Sequence, residues 1–304
     1  MNAVEARNLG KRYRDTWALH DCDLAIPAGH IVAVVGPNGA GKTTLLHCAV
    51  GLCIPTTGTI SVLGGTIAGS QDALDQVGFV AQDAPLHKQL TVASMVEVTQ
   101  NLNERFDVVQ AKERLNSLEI PLQRKIGKLS GGQQSQLALT LSLARSPSLL
   151  VLDEPLARLD PLARHAFMAL VLSSVAERGI SVLFSSHVIS ELERVADYLV
   201  LLNGGKVQVA GVIDDILATH QVLTGPADDL DRASQGLTIV ETQQAGRHAQ
   251  LIIRVSKQTQ LPDGWRMNQI SLEELVLAYL REPSASRLPG PLGLVSRDAE
   301  EMTL

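Results

Sequence analysis

The sequence predicts an α/β fold on a buried parallel sheet, from three short apolar runs that each end in polar or glycine residues. IVAVV (Ile31 to Val35) runs into glycines, LLVL (Leu149 to Leu152) into Asp153 and Glu154, and ISVLF (Ile180 to Phe184) into Ser185, Ser186 and His187. Short runs this rich in apolar residues suit strands covered on both faces. Open α/β sheets place their ligands at the carboxyl ends of such strands, which is where these polar groups fall.

The first run is followed by GPNGAGKTT, Gly36 to Thr44, and then by the helical TTLLHCAVGL. This satisfies G-x-x-x-x-G-K-[ST], and the strand before it and the helix after it are the context that phosphate loop requires. Gly36, Gly39 and Gly41 let the backbone wrap closely enough for N–H groups to face a phosphate, and the helix N-terminus adds positive potential. The expected nucleotide-binding set is therefore Gly36, Pro37, Asn38, Gly39, Ala40, Gly41, Lys42, Thr43 and Thr44. Lys42 is placed to reach the β- and γ-phosphates, and the Thr43 hydroxyl to hold Mg²⁺.

The second run supplies the other half of such a site. Asp153, at a strand end, is the expected Mg²⁺-orienting carboxylate, and Glu154 the general base for the attacking water. An Asp-Glu pair after an apolar run is more often a helix cap when it stands alone. Its position behind a phosphate loop decides for the chemistry.

Between Pro85 and Lys128 the apolar spacing becomes helical, with Leu86, Leu90, Val92, Met95, Val96, Val98, Leu115, Leu118 and Ile120, which predicts an inserted helical subdomain at about 85–145. YLVLL (Tyr198 to Leu202) and NGGKV read as two strands and a turn that close the main domain near 216. A small accessory domain follows at 217–282, with strands at Leu237 to Val240 and Leu251 to Val255. Its helix, SLEELVLAYL, starts at a capping box of Ser271 and Glu274, with Ile270 and Leu275 at the staple positions. From Pro283 to residue 304 the sequence reads as a disordered tail.

The chain of 304 residues carries a net charge of −6, which gives no electrostatic footprint for nucleic acid. No stretch approaches the ~20 apolar residues of a membrane helix. Cys22, Cys48 and Cys53 lack the spacing of a zinc or redox motif and fit a reduced compartment.

LSGGQ, Leu129 to Gln133, lies between the phosphate loop and LLVLDEP. In that order the three motifs resemble ABC ATPases. The resemblance covers residues 1 to about 216 and implies a P-loop NTPase core with the helical insertion, ahead of a small α+β extension. It implies that Ser130, Gly131, Gly132 and Gln133 of one subunit face the ATP held by another. By the same resemblance Tyr13 stacks on adenine, Gln82 contacts Mg²⁺ and water, Asp160 belongs to a loop crossing the dimer interface, and His187 contacts the γ-phosphate. Two places depart from the common pattern: Gln134, Ser135 and Gln136 after the signature, and Leu156 with Arg158 in the interface loop.

The implied protein is an ATP hydrolase using ATP and Mg²⁺ and paired with a second copy or a paralogous subunit. It would be cytoplasmic, held on the inner face of the membrane by an integral-membrane permease. The extension ending in SLEELVLAYL resembles ATPases of bacterial drug export, which implies export. An importer ATPase and a non-transport ABC ATPase are the alternatives; the second is disfavoured by the acidic charge and the single nucleotide domain.

Overall fold

The computed structural model describes residues 1–157, 159–255 and 263–282. Arg158 and the tail from Pro283 lie outside the described residues.

The chain opens with an antiparallel hairpin of β1 (Asn2–Tyr13) and β2 (Thr16–Pro27) that the sequence pattern does not reveal. Bulges between Ala6 and Leu9, and again before Lys11, break the alternation by which a half-buried strand is recognised. β3 (Ile31–Val35), buried at all five positions, turns through the glycine loop into α1 (Lys42–Ala49). β4 (Thr57–Val62) and β5 (Thr66–Ile67) complete a sheet in the order β2-β1-β4-β5. α2 (Gln71–Leu74) leads to β6 (Val77–Val80).

Three helices follow, α3 (Val92–Asn101), α4 (Val108–Ser117) and α5 (Gly131–Leu143). Each begins on an oxygen that accepts a backbone N–H three residues on: Thr91 from Ser94, Asp107 from Gln110, Ser130 from Gln133. They close around Val96, Leu115, Ile120, Ile126, Leu137 and Leu141, an apolar cluster of their own.

The central sheet is then finished by β7 (Leu149–Leu152), α6 (Pro161–Arg178), β8 (Ser181–Ser185), α7 (Ile189–Leu192), β9 (Tyr198–Asn203) and β10 (Lys206–Val212). Its order is β10-β9-β3-β8-β7-β6, parallel except for β10. β3 and β7 have the predicted bounds, and β8 starts one residue later than its run. Gly204 and Gly205, both at positive φ (55° and 76°), make the two-residue turn from β9 to β10.

α8 (Ile213–Ala218), β11 (His220–Pro226), α9 (Leu230–Ala233), β12 (Thr238–Ala245), β13 (His248–Arg254), β14 (Arg266–Gln269) and α10 (Leu272–Arg281) end the described chain. The third sheet runs β12-β13-β11-β14. Ser271 Oγ accepts from the Glu274 N–H at 3.2 Å, and Glu274 Oε2 accepts from the Ser271 N–H at 3.0 Å, so the capping box is formed.

The apolar face of α10 enters the main core. Leu272, Leu275, Val276 and Tyr279 share one cluster with Phe167 and Val171 of α6, Leu199 and Leu201 of β9 and Val209 of β10. Buried Gln208, on β10, donates to the carbonyls of Tyr279 (2.7 Å) and Glu282 (3.1 Å), satisfying acceptors that a helix end leaves open.

His220 completes this seam. Its Nδ1 lies 2.7 Å from the Ile216 carbonyl, which can only accept, so the proton sits on Nδ1 and Nε2 accepts from the Tyr279 hydroxyl at 2.9 Å. This neutral pairing is satisfied at both nitrogens.

Burial holds His220 below its ordinary pKa of 6.5, with a smaller push from Arg254, against the Ile216 carbonyl. The unfolded chain therefore takes up a proton first as pH falls, and stability is lost from about pH 6.5 downward. The urea midpoint of the wild type should drop through this range more steeply than that of His220→Gln. Equal slopes would place the acid sensitivity elsewhere.

Candidate nucleotide site

The carboxyl ends of β3, β8 and β7 lie side by side, which brings the phosphate loop, Ser185 to His187 and the two carboxylates together. They border a cleft of about 580 Å³ lined by Tyr13, Ala18, Asn38 through Thr44, Gln82, Glu154, Ala157 and His187.

Gly41 is the N-cap of α1 at φ 102°, and a Cβ there would stand 2.5 Å from the Ala18 carbonyl oxygen. Only glycine fits. No side chain caps this helix, so its first N–H groups are left to face the cleft as an anion site. Lys42 is buried, and its ammonium donates to the carbonyls of Gly36 (2.8 Å) and Pro37 (3.3 Å) while standing 3.8 Å from Glu154 Oε1.

Thr43 Oγ1 donates to Asp153 Oδ1 at 3.2 Å, joining the first helical turn to the end of β7. Asp153 is buried behind the cleft wall. Glu154 has φ 44°, a left-handed backbone that costs a non-glycine residue roughly 1–2 kcal/mol. Its N–H donates to Ser185 Oγ at 2.8 Å, and its Oε2 accepts from His187 Nδ1 at 2.9 Å. A carboxylate cannot donate, so this contact puts the His187 proton on Nδ1.

A hydroxyl, a carboxylate and the nearby Gln82 amide are hard oxygen donors of the kind Mg²⁺ selects. The uncapped helix and the Lys42 ammonium suit a polyphosphate. The residues present therefore fit both groups.

Tyr13 stands half-exposed at the cleft edge, with its hydroxyl 3.3 Å from Cys53 Sγ and the Lys11 ammonium 5.2 Å from its ring centroid. The Cys53 contact, then burial, push its phenol above the ordinary value. Gly36 and Pro37 lie behind the lining residues, as lysine acceptors.

The signature residues are not part of this cleft. Ser130, Gly131, Gly132 and Gln133 start α5, where Ser130 Oγ accepts from the Gln133 N–H (3.2 Å) and Gln133 Oε1 from the Ser130 N–H (3.1 Å). Asp160 caps α6, accepting from the Ala163 N–H at 2.9 Å. Ser185 was not among the sequence candidates. The sequence signal was no more than a hydroxyl at the end of a mostly apolar strand; the strand order, not the sequence, sets it beside the two carboxylates.

The family model described as ABC transporter matches residues 19–157, and one described as AAA domain, putative AbiEii toxin, Type IV TA system overlaps it at 122–193. Nod factor export ATP-binding protein I of Burkholderia lata is 34% identical over 209 residues, covering 67% of this chain and 68% of that protein. This chain belongs to the ABC transporter ATP-binding proteins. ABC transporter ATP-binding protein YtrB of Bacillus subtilis is 29% identical over 283 residues, spanning 90% of this chain and 97% of that protein. The Fe(3+) ions import ATP-binding protein FbpC of Pseudomonas fluorescens is 34% identical over 224 residues, 69% of this chain and 62% of that protein.

A solved dimer of an ATP-binding cassette in a post-hydrolysis state, bound to ADP and Pi, superposes with a TM-score of 0.62 at 28% identity, covering 69% of this ABC subunit and 98% of that chain. The subunit is thus an ATP hydrolase of a family whose members form dimers and work with membrane permeases. Its relatives include both importers and exporters. Among the described residues of this ABC protein, no helix is long and apolar enough to cross a membrane.

If the Tyr13 ring stacks on adenine, Tyr13→Ala should weaken ATP binding by about 1 kcal/mol, roughly fivefold, and Tyr13→Trp should retain it. Nucleotide titration measures both. Equal dissociation constants for wild type and the alanine variant would remove Tyr13 from the site.

Proposed function

We propose that this subunit hydrolyses ATP with Glu154 as general base, in composite sites shared with a second copy or a paralogue, and so drives a separate membrane permease. The observation that carries this reading is the placement of the Glu154 carboxylate between the Lys42 ammonium and the His187 imidazole at the cleft edge.

Each residue then has a task. Lys42 offsets charge on the β- and γ-phosphates, and the N–H groups of the loop and α1 hold their oxygens. Thr43, Asp153 and Gln82 would hold Mg²⁺, which when bound neutralises the charge that develops between those phosphates. Glu154 takes a proton from water as its oxygen bonds to the γ-phosphorus and the bond to the β-phosphate oxygen breaks. His187 steadies Glu154 and reaches toward the γ-phosphate. Ser130, Gly131, Gly132 and Gln133 serve the partner's ATP, and Asp160 lies at the subunit contact. In favour of this trans role, the start of α5 is organised by its own capping box yet lies off the cleft of its own chain.

The proposed organisation is a nucleotide-binding domain at 1–216 with helices inserted at about 85–145, and an accessory unit at 217–282. The subunit would sit on the cytoplasmic face of the membrane through its permease. We read the direction as export, supported by the SLEELVLAYL extension and by the Nod factor export relatives. Import is the second reading, favoured by FbpC. Co-expression with the membrane protein of the neighbouring reading frame, in inside-out vesicles, separates them: ATP-dependent accumulation in the lumen means export.

Glu154→Gln should slow hydrolysis by roughly 10²- to 10⁴-fold with ATP binding retained, and should accumulate an ATP-bound dimer on size-exclusion chromatography. A fully active, monomeric variant would remove Glu154 from the role of base.

The shared site makes a sharper demand. Lys42→Ala damages the phosphate loop, Ser130→Arg blocks the opposing anion site, and each homodimer should be nearly inactive. In a mixed dimer both defects fall on one composite site, and the other is intact. Mixing the two variants should therefore restore measurable hydrolysis, whereas Ser130→Arg homodimers with wild-type activity would exclude LSGGQ from the site.

A further inference from the structure

Ser185, the last residue of β8, is fully buried between the two strands whose ends form the site. Its hydroxyl has one proton to give and lone pairs to receive with. The proton goes to Asp153 Oδ1 at 2.7 Å, because a carboxylate only accepts. A lone pair receives the Glu154 N–H at 2.8 Å.

The successive peptides at the end of β7 are thus pinned from opposite sides. The Asp153 N–H pairs with the Val80 carbonyl of β6 at 2.9 Å, continuing the sheet, and the Glu154 N–H turns to the β8 side. That turn accompanies the left-handed backbone of Glu154, a conformation that persists only where surroundings enforce it. The Glu154 side chain leaves this turn toward Lys42 and His187. Asp153 Oδ1 meanwhile receives two hydroxyls, those of Thr43 and Ser185, which fixes the carboxylate plane.

We infer that Ser185 is a positioning residue for ATP hydrolysis, its single hydroxyl aiming Glu154 through the backbone and orienting Asp153 toward the metal. The inference rests on the roles proposed above for those two carboxylates. It assigns a task to the hydroxyl itself rather than to the volume of the side chain. Outer hydrogen-bond partners of this kind typically change metal affinity or activity by 10- to 100-fold when removed.

The test is a series at one position, Ser185→Ala, Ser185→Cys and Ser185→Thr, with Glu154→Gln in parallel. Cysteine nearly keeps the shape but is a weak donor and acceptor; threonine keeps the hydroxyl and suits a strand. The alanine and cysteine variants should both lose roughly 10- to 100-fold in kcat, with little change in ATP dissociation constant measured without Mg²⁺. The Mg²⁺ concentration for half-maximal nucleotide binding should rise by roughly tenfold in both, and Ser185→Thr should restore rate and midpoint. A merely structural role would not move the Mg²⁺ midpoint and would let cysteine rescue.

Wild-type rate and midpoint in Ser185→Cys would overturn the inference. Should the alanine variant fail to fold, the comparison of cysteine with threonine makes the same decision. An inactive Glu154→Gln beside fully active alanine and cysteine variants would overturn the role of Ser185 alone. A fully active Glu154→Gln would instead overturn the reading of Glu154 as base.

Discussion

A carboxylate taken out of water needs donors around it, and Asp153 has them from two other parts of the chain. Thr43 reaches it from the first turn of α1, after β3, and Ser185 from the end of β8. The strand order β3-β8-β7 makes this meeting possible, since the ends of neighbouring parallel strands share one edge of the sheet. With Asp153 fixed, the next residue is fixed as well. Glu154 is tied by its N–H to β8 and stands within reach of Lys42 and His187. The cleft is the place where three loops are held at a common point by buried hydrogen bonds, and that is what gives it a defined shape.

The same local device, a helix start, underlies the phosphate loop and the second anion site proposed above. Both have small residues at the helix start, Gly41 before α1 and Ser130, Gly131 and Gly132 opening α5, but they are finished differently. α1 has glycine as its N-cap and no side-chain acceptor, so its N–H groups remain available within the chain's own cleft. α5 has a complete capping box, which fixes the backbone of its first turn and would present it ready-formed to the partner proposed above. A preordered surface loses less entropy on association than one that must fold on contact.

The three buried strands were legible because a short, mostly apolar run that ends abruptly in glycine, carboxylates or a serine-histidine stretch has few other uses. The phosphate loop was legible because its glycines are required by backbone geometry, as Gly41 shows through the approach of the Ala18 carbonyl. The β1–β2 hairpin was not, since its bulges shift side chains between faces and destroy the period of two. Ser185 escaped for another reason. A serine at a strand end is common, and its task depends on what the adjacent strand places opposite it, which is a matter of topology and not of local sequence.

The C-terminal helix marks the same boundary between pattern and packing. Its capping box and apolar stripe are plain in SLEELVLAYL, and they tell which face is buried but not what covers it. The cover is the central core: Leu275, Val276 and Tyr279 lie in the cluster that also holds Leu192 of α7, with Ile189 packed against it. α7 begins two residues after His187. The last helix is therefore packed against the helix that follows the imidazole touching Glu154, while Gln208 pairs with the carbonyls of Tyr279 and Glu282, and His220 with the Ile216 carbonyl and the Tyr279 hydroxyl. Residues far apart in the chain thus depend on each other for burial, and α10 contributes to the interior of the main core while Leu223, Leu251, Ile253 and Trp265 form a cluster of their own.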